Sequence, residues 1–404
     1  MHHLVRRVRS SATACLALAG CAVFLAAGGL FNVAQAQSQV LRIGAVVSST
    51  GASAALGASE AKTLTMLEGQ FAGQPGLHLE ITVYDDQSQL SNTIELVNKL
   101  LAADEVDAII CCTRSEGALA VLEPVQSARV PLISLAAAAP ITGPAEARRW
   151  VFATVPSDRL ILSGVVADMR AHGVSDLAFL GLSDAYGESG LVELQLALPG
   201  TGIELAKVVR YDANAGSYSA PVLAATLSRP QAALVWGIVD DSAKMVRELR
   251  ELGFGGAIYV SHGVGNDRFI ELAGAAADGV RLAVGPFLVA GDLAANAPTR
   301  EVDLAYARDY ESAYPGEVAT SFGGYAYDAV MALVNAARYA DEHGTLVPAD
   351  RAANRAALRD ALEAMGPFVG VSGVFDYAGT DHMGLDDRAY VIAEIENGEW
   401  RLAK

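Results

Sequence analysis

The stretch LRIGAVVSSTGASAALGASEAKTLTMLEG, residues 41–69, decides the fold class. Residues 41–47 form a short, nearly continuous apolar run rich in β-branched side chains, the mark of a strand covered on both faces. A loop of small and hydroxyl-bearing residues follows, Ser49-Thr50-Gly51-Ala52-Ser53, and then an amphipathic segment that predicts a helix over 57–69. The alternation continues outward with strands expected at 78–84, 108–111 and 131–134 and helices at 91–103 and 116–128. Strand and helix at this spacing mean an α/β fold whose parallel sheet is covered by helices on both sides.

The same rhythm restarts after Trp150-Val151-Phe152-Ala153-Thr154-Val155-Pro156. Helices are expected at 158–172, 187–197, 219–227 and 240–252, and strands at 176–180, 203–209, 232–236 and 257–260. Beyond Val284-Gly285-Pro286 the pattern predicts helices at 299–314, 321–343 and 351–365, with strands near 373–377 and 388–394. Two successive open sheets in one chain give two lobes. No low-complexity linker and no repeat of 20 to 50 residues separates them, so ordered segments join them.

Residues 1–36 read as a secretory signal peptide: Arg6, Arg7 and Arg9 precede an apolar run that ends in Ala34-Gln35-Ala36, with cleavage expected after Ala36. Leu18-Ala19-Gly20-Cys21 has the form of a lipoprotein processing site. Residues 22–30 continue the apolar run, however, where a tethered lipoprotein turns polar, so the soluble periplasmic form is preferred. Without the three leader arginines the chain keeps 26 basic against 46 acidic residues, a formal charge near −20. Such a surface repels phosphate backbones and excludes nucleic acid as a partner. Of four cysteines only Cys111 and Cys112 lie outside the leader, which excludes a disulfide framework and a zinc pattern. A vicinal disulfide is one account of the pair; two small residues closing a buried strand is the preferred one.

In open parallel sheets ligands sit beyond the carboxyl ends of the strands, against helix N-termini. The loop 49–57 and Thr113-Arg114-Ser115 occupy those places, and both suit an anion such as a carboxylate. Ser115 is a candidate anion donor and equally a cap for the helix after it. Arg114 either pairs with a carboxylate or points to solvent. Tyr186 and Trp236 stand at the mouths of second-lobe strands, to stack on a ligand or to pack the core; Ile238 is included among the candidate ligand-binding residues. His262, with an ordinary imidazole, is partly protonated near neutral pH and suits an anion or a carbonyl better than an ammonium. Enzyme constellations are missing: there is no Gly-x-Ser-x-Gly elbow, no phosphate-binding Gly-x-x-x-x-Gly-Lys loop, no paired His-Glu metal spacing and no Gly-x-Gly-x-x-Gly. No enzyme activity, cofactor or metal is expected.

An ordered series of short motifs runs along the chain: Ile43-Gly44, Ser49-Thr50-Gly51, Leu56-Gly57, Asp85-Asp86-Gln87, Pro131-Leu132-Ile133-Ser134, Pro140-Ile141-Thr142, Asp184-Ala185-Tyr186-Gly187 and His262-Gly263-Val264. In this order they resemble the periplasmic leucine/isoleucine/valine-binding proteins and their relatives, the type I periplasmic binding proteins. The resemblance implies two Rossmann-like lobes with parallel sheets joined by three crossover strands near Val155, Gly285 and Asp387. The N-terminal lobe is then 37–156 plus 285–387 and the C-terminal lobe 157–284 plus 388–404, closing by a hinge on a small ligand and docking on an ABC transporter permease. It further implies that Ser115 and the backbone at Ala136 hold a ligand carboxylate. Ala138 stands where a threonine is usual, Leu56 where a tyrosine is frequent, and His262 where an acidic residue pairs with the ligand ammonium. A branched-chain or other amino acid is the default ligand. An amine-free aromatic or aliphatic carboxylate is the alternative, and a ligand-sensing module for a receptor is the rival role.

Overall fold

The computed structural model describes residues 39–72, 76–347 and 349–403. The expected signal peptide, the Cys21 site and the expected cleavage point after Ala36 lie outside these residues. The first sheet is built from β1 (Gln39–Val47), β2 (Leu77–Asp85), β3 (Ala108–Cys111), β4 (Leu132–Ser134) and β5 (Val151–Ala153), in the order β2-β1-β3-β4-β5. All of its pairings are parallel, with Ile43 opposite Ile81 on one side and Ala108 on the other. The apolar run of β1 is buried because helices cover both faces of this sheet. Those helices include α1 (Ala54–Phe71), α2 (Leu90–Ala102), α3 (Ser115–Ala120) and α4 (Leu122–Ala128). A single helix was expected over 116–128, but the chain breaks at Val121. Pro124 has no N–H to give the carbonyl of Ala120, so it is accommodated only in the first turn of a new helix.

The chain then crosses to a second sheet through 154–157. There α5 (Asp158–Ala171), β6 (Asp176–Leu182), α6 (Ala185–Ala197), β7 (Glu204–Tyr211), α7 (Ser219–Thr226), β8 (Ala232–Trp236), α8 (Val239–Glu251), β9 (Ala257–Val260), α9 (Asp267–Ala273) and β10 (Arg281–Val284) follow one another. After β10 the chain leaves for α10 (Arg300–Ala313), α11 (Ser321–Glu342) and α12 (Arg351–Ala364), and α11 packs along α1 of the first lobe. The short hairpin β11 (Phe368–Val369) and β12 (Val374–Phe375) precedes a third crossing. The chain ends in β13 (Val391–Glu396) and β14 (Glu399–Leu402), which rejoin the second sheet.

The second sheet has the order β14-β13-β10-β9-β8-β6-β7 and is mixed: β13 and β14 run antiparallel at its edge. The hairpin between them turns at Asn397 and Gly398, both with left-handed φ, 54° and 79°. Asn-Gly is the dipeptide that such a two-residue turn demands, and it was a readable signal for the final strand. Cys111 and Cys112 are both fully buried at the end of β3, as expected of two small residues there, but they are joined as a vicinal disulfide, the account that the sequence did not favour. Among the described residues no helix is long and apolar enough to cross a membrane.

Candidate functional site

A cavity of about 770 Å³, counting its open mouth, lies where the carboxyl ends of the strands of both sheets face each other. From the first lobe it is lined by the starts of α1 and α3 and by the loop after β4; from the second, by the start of α6 and the loops after β7, β8 and β9. Of the residues expected at the site, Leu56, Arg114, Ser115, Ala136, Tyr186, Ile238 and His262 line it. Ala138 and Trp236 do not. Ala138 is buried against the first-lobe core beside the turn at 139–141. Trp236 is wholly buried one layer back, its ring 5.6 Å from Tyr186 and 5.9 Å from His262, so it backs the wall that those two rings form.

One end of the cavity is built by the turn from β3 into α3. Ser115 is the first residue of α3 and Arg114 holds the cap position with no side-chain cap bond, so the Ser115 hydroxyl does not cap this helix. It is 5% exposed and has no hydrogen-bond partner among the described residues. That leaves it free for a ligand oxygen beside the unpaired N–H groups of the first turn. Arg114 is already engaged. Its guanidinium donates to the carbonyl of Ser88 at 3.0 Å, pairs with Glu116 at 2.9 Å and lies 3.9 Å from Asp184 of the opposite lobe. The Ala136 N–H donates to Ser134 Oγ at 3.1 Å within its own loop.

The opposite end is uncharged. His262 is 3% exposed, its Nδ1 has no partner, and burial alone pushes its imidazole down to about 3. The partial protonation expected near neutral pH is therefore overturned, because a dry aromatic wall disfavours the imidazolium. Of the carboxylates able to replace the missing acid, Asp240 is paired outward with Arg268 at 2.8 Å. Asp241 receives the Tyr218 hydroxyl at 2.6 Å and the Asn214 N–H at 2.9 Å. Asp184 lines the cavity but caps α6 through the Gly187 N–H, 2.9 Å, and faces Arg114. Of the three only Asp184 lines the cavity, its Oδ1 held by the cap of α6 and its Oδ2 3.9 Å from Arg114.

Sequence reasoning missed Asn214, Phe322 and Tyr325 in the lining. Asn214 follows the edge strand β7 in a left-handed turn, φ 59°. Phe322 and Tyr325 come from the first turns of α11, whose start is signalled by Thr320 accepting from the Gly323 N–H. Their place at the cavity depends on the chain returning to the first lobe, which no local pattern reports. Among the described residues no group of His, Cys, Asp and Glu is arranged to hold a metal ion.

The family model described as periplasmic binding protein matches residues 40–399. An extracellular ligand-binding receptor from Rhodopseudomonas palustris HaA2 is similar, 30% identical with a TM-score of 0.85, over 90% of this chain and 99% of that one. The branched-chain amino acid transporter substrate binding protein LivJ from Streptococcus pneumoniae, in complex with isoleucine, is 19% identical with a TM-score of 0.75, over 91% and 100%. A solute binding protein of an ABC transporter from R. palustris, in complex with benzoate, is 19% identical with a TM-score of 0.77, over 90% and 95%. These last two likenesses speak for the fold alone. No curated protein matches. With its two α/β lobes facing a shared cavity and the family pattern matched over nearly its whole described length, the chain belongs to the type I periplasmic binding proteins, a solute-binding and non-enzymatic family.

Proposed function

We propose that this chain, exported with removal of residues 1–36, is the substrate-binding component of an ABC importer and traps a small amine-free carboxylate with an apolar body. The lobes 37–156 plus 285–387 and 157–284 plus 388–404 close on the ligand by a hinge at the three crossings, and the closed form docks on a permease. The observation that carries the ligand class is the unequal pair of cavity ends. One presents a free hydroxyl at a helix start, and the other an aromatic wall with a neutral imidazole, where Asp240 and Asp241 are bound to other groups and Asp184 is shared between the α6 cap and Arg114. An ammonium there would have to draw Asp184 away from Arg114 to gain a counter-ion, and an isolated buried charge costs several kcal/mol. Relatives of this fold bound to isoleucine and to benzoate keep both ligand classes in play for the fold, and the cavity ends favour the second here.

A thermal-shift panel of aromatic and aliphatic carboxylates and of amino acids, run on the exported protein, tests the reading. A ligand that binds only the folded form raises stability by RT ln(1 + [L]/Kd). Amine-free carboxylates are expected to raise Tm, and a panel in which only amino acids do so sinks the proposal. In the same assay Ser115→Ala is expected to weaken carboxylate binding by about 1.5 kcal/mol, the low end for a hydrogen bond to a charged group, because the helix N–H groups remain. Melting without ligand stays unchanged, since Ser115 caps nothing.

A further inference from the structure

Directly beneath the anion loop lies a carboxyl group that the binding scheme does not use. Glu60 sits on α1 one turn beyond Leu56 and is 1% exposed. One of its oxygens accepts the Thr113 hydroxyl, and the other, Oε1, has no hydrogen-bond partner. The Thr113 oxygen in turn accepts the Ser48 N–H at 2.9 Å. Thr113 therefore has its donor and an acceptor position committed, and the chain continues straight into Arg114 and Ser115. We propose that Glu60, acting through Thr113, is the positioning residue that holds the loop 113–115 in the form that receives an anionic ligand. The inference rests on the carboxylate reading above.

The charge state of Glu60 then matters to the ligand. From the loop after β2 it faces Asp86, 2% exposed and bound by the Ser48 and Thr93 hydroxyls at 2.7 Å each; from α11 it faces the buried Tyr325; from the loop after β3 it faces Thr113, beyond which Arg114 is held by Glu116. On its own helix Lys62 is turned away to Glu317. No cation among these compensates a buried carboxylate with one unpartnered oxygen. Burial, reinforced by Asp86 and opposed by the Thr113 hydroxyl, pushes Glu60 up to about 8. In neutral solution the group under the loop is an uncharged acid. Above pH 8 it becomes an anion under the place where a second anion must bind. A proton on Glu60 thus favours the complex, and affinity for a carboxylate falls as pH rises through the Glu60 value.

The test uses benzoate and 4-methyl-2-oxopentanoate, both ionised throughout, titrated by calorimetry into wild type, Glu60→Gln and Glu60→Ala at pH 7.0, 8.0 and 9.5. Wild-type affinity is expected to fall about fivefold or more between pH 7.0 and 9.5. Glu60→Gln, permanently neutral and able to accept from Thr113, shows no such fall, and Glu60→Ala binds weakly at every pH. A flat wild-type profile, or an equal fall in Glu60→Gln, overturns the proposal. Amide-exchange protection of Ser48, whose N–H reports the Thr113 position, is measured without ligand on the same variants. If neither carboxylate binds wild type at pH 7.0, the carboxylate reading fails and this measurement alone decides the role of Glu60. Protection kept in Glu60→Gln and lost in Glu60→Ala supports positioning, and protection kept in both refutes it.

Discussion

4-Methyl-2-oxopentanoate is expected to bind this protein at least about a hundredfold more tightly than leucine, and 3-phenylpropanoate to outbind phenylalanine by a similar margin. The pairs share a carboxylate and an apolar body and differ chiefly in the ammonium. A hundredfold is about 2.7 kcal/mol, modest beside the 3–5 kcal/mol or so measured when a buried charge loses its partner. The difference arises at the His262 end, where the imidazole is neutral and Asp240 and Asp241 are bound to other groups. Calorimetry at pH 7 decides it: leucine binding as tightly as its analogue would remove the amine-free class and return the site to amino acids.

The same imidazole sets a pH expectation. With its folded value near 3 against an ordinary 6.5, His262 stays neutral from pH 5.5 to 8, so carboxylate affinity does not follow an imidazole titration in that window. Its effect falls on stability instead. A group whose folded value is depressed contributes stability above its unfolded value, and that contribution is lost as pH falls from about 6.5 towards 3. Urea midpoints taken at pH 7.5 and 4.5 should therefore separate less in His262→Gln than in wild type.

Gly187→Ala is expected to lower stability by about 3 kcal/mol or more, among the largest single-residue effects available outside deep core truncation. A Cβ at Gly187 would stand 1.8 Å from the carbonyl oxygen of Leu182, and a backbone atom at that distance has to move. It has little room to do so. Asp184 holds the Gly187 N–H at 2.9 Å, and Ser183 is tied to the carbonyl of Tyr211 at 2.8 Å, so α6 and the end of β6 are locked together where the cavity wall begins. Gly69→Ala is the matched control. It lies within α1 with nothing within 4 Å of a new Cβ, and alanine there should stabilise by roughly 0.5–1 kcal/mol through helix propensity alone. Urea midpoints shifted equally by the two substitutions would refute the close-approach argument.

Local physics made most of the secondary structure readable before any coordinates. Buried parallel strands need continuous apolar runs and their covering helices need one apolar stripe, so β3, β8 and β9 were placed to the residue and α5, α8 and α11 to within one or two. The place of the loop 113–115 at the cavity was equally legible, because a turn from a parallel strand into a helix lies at the carboxyl end of the sheet, where clefts form. Other features depended on atoms far apart in the chain. Trp236, at the end of β8, is wholly buried behind Tyr186 and His262, a placement set by how β8 packs against its neighbours. His262 lost its charge to desolvation, a property of its surroundings and not of imidazole. Glu60 lies within the expected helix 57–69 and owes its burial to α11 and the β3 loop, which no local pattern reports. The sequence by itself determined most of the elements, the two lobes and the strand ends that line the cavity, since these follow from periodicity and turn chemistry. Only the tertiary structure decided which side chains reach the cavity and which are ionised there, because burial and hydrogen-bond partners come from other elements of the chain, as Thr113 of the β3 loop does for Glu60 of α1.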